Sequence, residues 1–351
     1  MRFRSSLLSL ALFLLGAFLL TSSPTRAQED TDDVSDLNNA LQAVGTQYAD
    51  SYVQPLSNAF GANMGGGLFR SADVGNSLIP GFPVDLYVGV SVSGTLTSSM
   101  QKSFAPDAEE TFTRNGDKYT VQFKPDPDDE VPTAFGETNP PDANLVVERN
   151  GNQVGDPIRA PQGLVNTSIA PIVVPQIGIG SVVGTDVQVR YLPKIELSAR
   201  GGSYGTVGLF GIAVRHDIDQ WIPAPLPLEL TVQGAWNQFS LENDAVTGDG
   251  TSEVLDVSGW AVNLQASRGV PVIPLTFYGG VQYEKFGVDY NYTFQPDGSS
   301  EPVSLSLEQD AANNFRGLAG FSLTFAIVRF NVDYAIGNEN NVVTTGLGIR
   351  I

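Results

Sequence analysis

The residues able to do chemistry are few. The single histidine, His216, stands in Val214-Arg215-His216-Asp217. An imidazole held by a carboxylate is the pairing that activates a hydroxyl nucleophile. Neighbouring residues of a strand point to opposite faces, however, and no nucleophile elbow is read in the chain. Cysteine is absent, so there is no thiol nucleophile, no thiolate metal site and no disulfide framework. These residues predict no enzyme and no cofactor.

Acidic clusters offer a second chemistry. Asp126, Asp128, Asp129 and Glu130 form one, and Asp244, Asp249 and Glu253 another. Carboxylate oxygens suit Ca²⁺, but the EF-hand spacing is missing. Solvated loop charge is the better reading, so no metal site is predicted. Runs such as Gly65-Gly66-Gly67 and Gly178-Ile179-Gly180 lack the strand-to-helix context that cradles phosphate.

The most suggestive polar stripe is Arg190, Lys194 and Glu196, with Arg215, Asp217 and Asp219 one strand further on. Arg190, Lys194, Glu196, Arg215 and Asp217 are the candidate lumen-lining residues. On a lumen wall, opposite charges could narrow or gate a path. The alternative is an ion-pair ladder that fills and stiffens the interior.

The elements that must position these residues announce an exported chain. Arg2 and Arg4 precede an apolar run from Ser5 to Leu20, and Thr25-Arg26-Ala27 offers small residues for cleavage near Ala27. That is the three-part secretory signal, 1–27. The composition, 37 Gly and 22 Pro, favours strands and turns. With 38 acidic and 19 basic residues the chain is no nucleic-acid binder. An acidic surface with only five lysines fits a saline habitat.

Residues 28–80 hold the helix-like part. Val34, Leu37, Leu41, Val44, Tyr48 and Tyr52 recur at spacings of three and four, and Pro55 ends or kinks the helix. This segment is expected either to plug a lumen or to lie in the periplasm. From 81 the period becomes two. Val84, Leu86, Val88, Val90, Val92 and Leu96 share one face of 84–96, and Asp85, Tyr87, Gly89, Ser91, Ser93 and Thr95 the other. Like patterns recur at 186–197, 228–237, 260–265, 275–284, 315–327, 330–336 and 343–351. Strands of this length cross a membrane when tilted. The strand count expected over the whole chain is about twelve, within a range of ten to fourteen. The fold predicted is all-β: an antiparallel transmembrane barrel over 81–351 with a short N-terminal helical segment. The Pro-rich stretch 98–170 is read as one large extracellular loop carrying a hairpin around Tyr119–Phe123 and Leu145–Glu148. Trp221, Trp236, Trp260, Tyr278, Tyr290 and Tyr292 are candidates for the aromatic girdles.

Several runs resemble an uncharacterised family of Bacteroidetes-type outer-membrane proteins. They are Pro175 to Gly180, Val189-Arg190-Tyr191-Leu192-Pro193-Lys194-Ile195, His216-Asp217-Ile218-Asp219-Gln220-Trp221, and Phe315 to Gly320. The resemblance implies a barrel and transfers no activity. In broader plan, a helix before the first strand is similar to fatty-acid-transporter-type barrels, whose helical hatch plugs the lumen. The expectation is an outer-membrane barrel that passes small hydrophobic molecules passively. The alternatives are a non-transporting structural or binding barrel, and a secreted soluble β-sandwich. Expected partners are outer-membrane lipid, the barrel assembly machinery and a small hydrophobic ligand.

Overall fold

A computed structural model describes residues 31–74, 84–98, 101–124, 130–139, 141–164, 166–181, 183–199, 202–223, 226–242, 253–294 and 303–351. The expected signal peptide lies outside these, as do Asp126, Asp128, Asp129, Asp244 and Asp249. In chain order the elements are α1 (Thr31–Met64), β1 (Val84–Leu96), β2 (Ser103–Phe104), β3 (Glu109–Arg114), β4 (Asp117–Lys124) and β5 (Val131–Pro132). They continue as β6 (Asn144–Arg149), β7 (Asn152–Arg159), β8 (Ile169–Ser181), β9 (Thr185–Ala199), β10 (Gly202–Asp217) and a 3-10 turn, Asp219–Trp221. The last are β11 (Glu229–Glu242), β12 (Glu253–Gly269), β13 (Leu275–Phe294), β14 (Val303–Asp310), β15 (Phe315–Phe325), β16 (Val328–Gly337) and β17 (Asn341–Arg350).

Two units result. The larger contains Ser57–Leu96, Ile169–Thr293 and Ser304–Ile351. Its strands run in the order β12-β11-β10-β9-β8-β1-β17-β16-β15-β13, and β12 pairs with β13 to close the ring. The barrel therefore has ten strands, not about twelve. An eleventh, β14, also pairs with β13. Because β12 occupies the other edge of β13 from Thr276 to Tyr290, β14 lies on the β15 side, above a break at Ala311–Asn314. One wall position is thus shared by two strands. The first and last strands close on each other as expected, from Tyr87↔Arg350 to Leu96↔Asn341.

The period-two pattern sorts the faces. Outward residues such as Val88, Val90, Ile177, Ile179, Val189, Val262, Val281, Leu347 and Ile349 are exposed. Inward residues are polar or small and buried, among them Ser91, Ser93, Gln188, Gln233, Asn263 and Gln282. Tyr278 and Tyr290 join the interior, not an outer girdle. The Tyr278 hydroxyl donates to Asp333 at 2.8 Å, and the Tyr290 hydroxyl lies 2.8 Å from Ser57 Oγ. Trp236 and Trp260 do face outward, opposite each other on β11 and β12.

The smaller unit takes in residues up to Leu56, Thr97–Ser168 and Phe294–Val303. Residues 98–170, expected to be mainly loop, carry a four-stranded sheet, β3-β4-β6-β7, and the pair β2-β5. The expected pairing is present: Thr120 stands opposite Glu148 and Phe123 opposite Leu145. On α1 the three-and-four spacing buries Val44, Tyr48 and Tyr52. Tyr48 stacks on Phe123 at 4.6 Å and meets the edge of Phe104 at 5.0 Å. The helix does not end at Pro55 but continues to Met64.

Candidate functional site

The site is the barrel lumen and what fills it. Ser57–Val74 is bonded to strands on every side of the ring. At its start, Ser57 Oγ bonds Gln309, and Asn58 Oδ1 accepts the Ala312 N–H at 2.9 Å. Thr95 Oγ1 lies 3.0 Å from the Ala59 carbonyl and 2.9 Å from Asn63 Oδ1. Asn63 Nδ2 donates to the Ala170 carbonyl of β8 at 2.7 Å. Partners from β1, β8, β13, β14 and the break before β15 cannot all be reached from outside the ring, so the segment is inside.

The helix end explains the buried arginines. The last four carbonyls of a helix have no intrahelical partner and carry the negative end of its dipole. Here the chain itself satisfies two, Gly61 by the Gly65 N–H at 3.2 Å and Asn63 by the Gly66 N–H at 3.0 Å. The last turn of α1 has no basic residue. The barrel wall supplies the rest. Arg316 Nη2 donates to the Ala62 carbonyl at 2.9 Å, and Arg190 Nη1 to the Met64 carbonyl at 2.9 Å. Asn237 Nδ2 adds a bond to Met64 at 3.3 Å, and Gln282 Nε2 one to the Gly65 carbonyl at 3.0 Å.

Below the helix the segment is a glycine passage lying close against the wall side chains. A Cβ on Gly65 would overlap Glu284 Oε2 and lie 2.9 Å from Arg316 Nη2. Leu68 and Phe69 then enter a recess made by Ala213, Ala235 and Ala261. These alanines stand opposite one another on β10, β11 and β12, so three adjacent strands lack bulk at one height. Further down, Arg70 lies over the Tyr87 ring at 4.1 Å and is 3.9 Å from Asp186 Oδ2. Arg215 donates to the Ser71 carbonyl and pairs with the same carboxylate. The Ala72 N–H reaches Ser267 Oγ at 3.0 Å, and Asp73 pairs with Arg350 at 2.5 Å.

The lumen lining is mixed. At the helix end Met64 packs with Ile172, Val174, Leu209, Phe239, Phe286 and Val288, beside the buried pair Arg316–Glu284. Lower down, Arg350–Asp85 is a second buried pair, at 2.9 Å. Taking such ions out of water costs several kcal/mol each, so every charge must find partners. The backbone of the segment is one of those partners.

The sequence-predicted residues divide. Arg190 and Arg215 are buried inside at 0% and 3% exposure. Lys194 lies 65% exposed and pairs with Glu242. Glu196 is exposed and Asp217 half-buried, its Oδ1 accepting the Asp219 N–H at 3.0 Å. The stripe is not continuous, because a register shift separates Leu192 from Ile195 where they pair with Leu209 and Val207. His216 sits at the end of β10. Trp221 Nε1 donates to its Nε2 at 3.1 Å, which leaves Nδ1 to donate to Thr185 Oγ1 at 2.9 Å. Contrary to expectation, Gly201-Gly202-Ser203-Tyr204-Gly205 does have the spacing of a nucleophile elbow. Ser203 lies within β10 opposite Ser198, in a strand, not at a strand-to-helix turn. It is at the far end of that strand from His216, about 40 Å away at 3.3 Å per residue.

The chain belongs to the family described as "Family of unknown function (DUF6588)", whose profile matches residues 4–351. No curated protein matches it. Among solved structures it is similar to an outer membrane channel from Pseudomonas putida F1, at 8% identity over 78% of this chain and 99% of that one, with a TM-score of 0.35. It is also similar to the beta domain of the Bordetella autotransporter BrkA, at 8% identity over 77% and 99%, with a TM-score of 0.31. A third is the Ralstonia pickettii toluene transporter TbuX, at 9% identity over 79% and 91%, with a TM-score of 0.26.

Proposed function

We propose that the protein is an outer-membrane β-barrel held closed by its own Ser57–Val74 segment, a structural or binding barrel and not an open pore. The observation that carries this reading is the capping of α1 by the wall: Arg316 and Arg190 donate to the Ala62 and Met64 carbonyls. Hydrogen bonds to charged groups contribute about 1.5–3 kcal/mol each, and breaking them here also leaves two buried cations short of acceptors.

Two features support the membrane. The antiparallel strands close into a ring, β12 pairing with β13, so the sheet has no free end strand, the condition for crossing hydrocarbon. Its outer face is a belt of exposed Val, Ile, Leu and Phe. In water, so large an apolar surface would aggregate; in lipid it is solvated. The same belt disfavours a secreted soluble sandwich.

Passive transport of small hydrophobic molecules, the reading that a likeness to fatty-acid-transporter-type barrels favours, requires this segment to move. The test is conductance of the refolded full chain in planar bilayers, with heat-modifiable mobility as the check on folding. The expected result is a folded barrel that is electrically silent. Steady conductance in the wild type at low voltage would overturn the closed-barrel reading.

A further inference from the structure

The path of the segment through the lumen fixes more than closure. The barrel's upper rim is the end holding Leu96, Ile169, Glu242, Glu253 and Asn341, and its lower rim holds Val84, Ser181, Asp217, Gly269 and Arg350. Ser57, Asn58 and Asn63 bond residues near the upper rim: Tyr290, Ala312 and Ala170. Ala62 bonds Arg316, which stands opposite Gly337 at the upper end of β16, and Met64 and Gly65 bond Arg190 and Gln282, inside β9 and β13. Ser71, Ala72 and Asp73 bond Arg215, Ser267 and Arg350, the last a lower-rim residue. Taken as a whole, the contacts run from the upper rim at Ser57 to the lower rim at Asp73.

The lengths agree. Eight helical residues advance about 12 Å, and the ten from Gly65 to Val74 span up to about 33 Å when extended. A strand of thirteen residues tilted by about 40° gives a wall roughly 33 Å high. The segment is long enough to cross the lumen once and too short to cross and return. After Val74 the chain enters β1 at the lower rim, where Val84 stands opposite Ser181.

We infer that the chain is threaded through its own barrel, so that residues before Ser57 leave at the upper rim, on the side of the membrane opposite Arg350. This rests on the membrane reading and adds a topology to it. The lumen then has a dedicated occupant, the protein's own chain. Some stretch must always cross it, because the two ends of that stretch belong to opposite sides.

The absence of cysteine makes the test direct. Single cysteines are placed in the full chain at exposed positions: Gln47→Cys and Asp50→Cys on α1, Glu339→Cys between β16 and β17, and Val272→Cys between β12 and β13. Each variant is checked for heat-modifiable mobility, then labelled with a membrane-impermeant maleimide before and after permeabilisation. Glu339→Cys and Val272→Cys are expected to label from opposite sides. If they label from one side, the membrane-spanning reading fails. Given opposite labelling, Gln47→Cys and Asp50→Cys are expected to label with Glu339→Cys, fully and from that side alone. Labelling of either with Val272→Cys, or of neither from any side, overturns the threading.

Discussion

Replacing Gly67 by alanine probes the fit of the threaded segment against the wall. Gly67 has φ +73°, in the left-handed region, and a Cβ there would overlap Ser91 Oγ and come within 3.1 Å of Ser91 Cβ. The left-handed conformation costs an alanine about 1–2 kcal/mol. Forcing an extra carbon into a packed site costs about 1–3 kcal/mol more. Alanine also stiffens the undocked chain, which opposes these by about 0.4–1 kcal/mol. The penalties win, leaving a net loss of about 1–4.6 kcal/mol in docking of the segment. At about 1.4 kcal/mol per tenfold, the undocked fraction rises roughly 5- to 2,000-fold. The barrel wall is untouched, so heat-modifiable mobility should persist while conducting events in planar bilayers become frequent. Ser91→Gly supplies the control. Ser91 Oγ is buried and has no hydrogen-bond partner among the described residues, so its loss sacrifices no bond. The double variant should recover the packing part of the loss, about 1–3 kcal/mol, and leave only the backbone strain. Gly67→Ala as silent as the wild type, or a double variant no better than Gly67→Ala, would refute the reasoning.

Deleting 342–351 removes nearly all of β17, which pairs with β1 on one side and β16 on the other. Two unpaired edges would then face hydrocarbon at several kcal/mol per unsatisfied group. No heat-modifiable barrel is expected, and wild-type assembly of the deletion would contradict the closure. In the smaller unit, burial pushes the Tyr48 and Tyr52 hydroxyls well above the ordinary tyrosine range, with Tyr52 adding to the shift on Tyr48. A raised folded-state value means this stabilisation is complete below the unfolded value of about 10 and is lost as pH climbs past it. An alkaline absorbance titration should show late phenolate ionisation whose amplitude Tyr48→Phe and Tyr52→Phe together reduce by two groups. Ionisation of both near pH ~10, with the unit still folded, would count against the burial.

Period-two alternation carries most of the wall. Val84–Leu96 is a strand with the bounds its pattern gives, and the strands from β15 to β17 fall where the apolar face recurs. Alternation is local: each residue needs only its neighbour's opposite character, so it survives in one dimension. It is silent where composition misleads. β8, which carries Pro171 and Pro175, is absent from the alternating runs. It nonetheless pairs along its full length with β1, and with β9 only from Gln176 onward, so the missing donors fall on the side left unpaired. The sheet within 98–170 is hidden by Pro-rich flanks in the same way.

Arg190 and Arg215 can be singled out as interior because each alternates with apolar residues. Their partners cannot. Arg190 reaches a carbonyl 126 residues away, Arg215 one 144 away and Arg316 one 254 away. A backbone carbonyl has no letter in a sequence, so a cation aimed at one looks like an unpaired charge seeking a ligand. The sequence by itself determined an alternating wall with a helical preface. Only the closed ring decided that the end of the preface, from Ser57 on, runs down its axis, because the orphan carbonyls of α1 meet buried arginines of the wall only there.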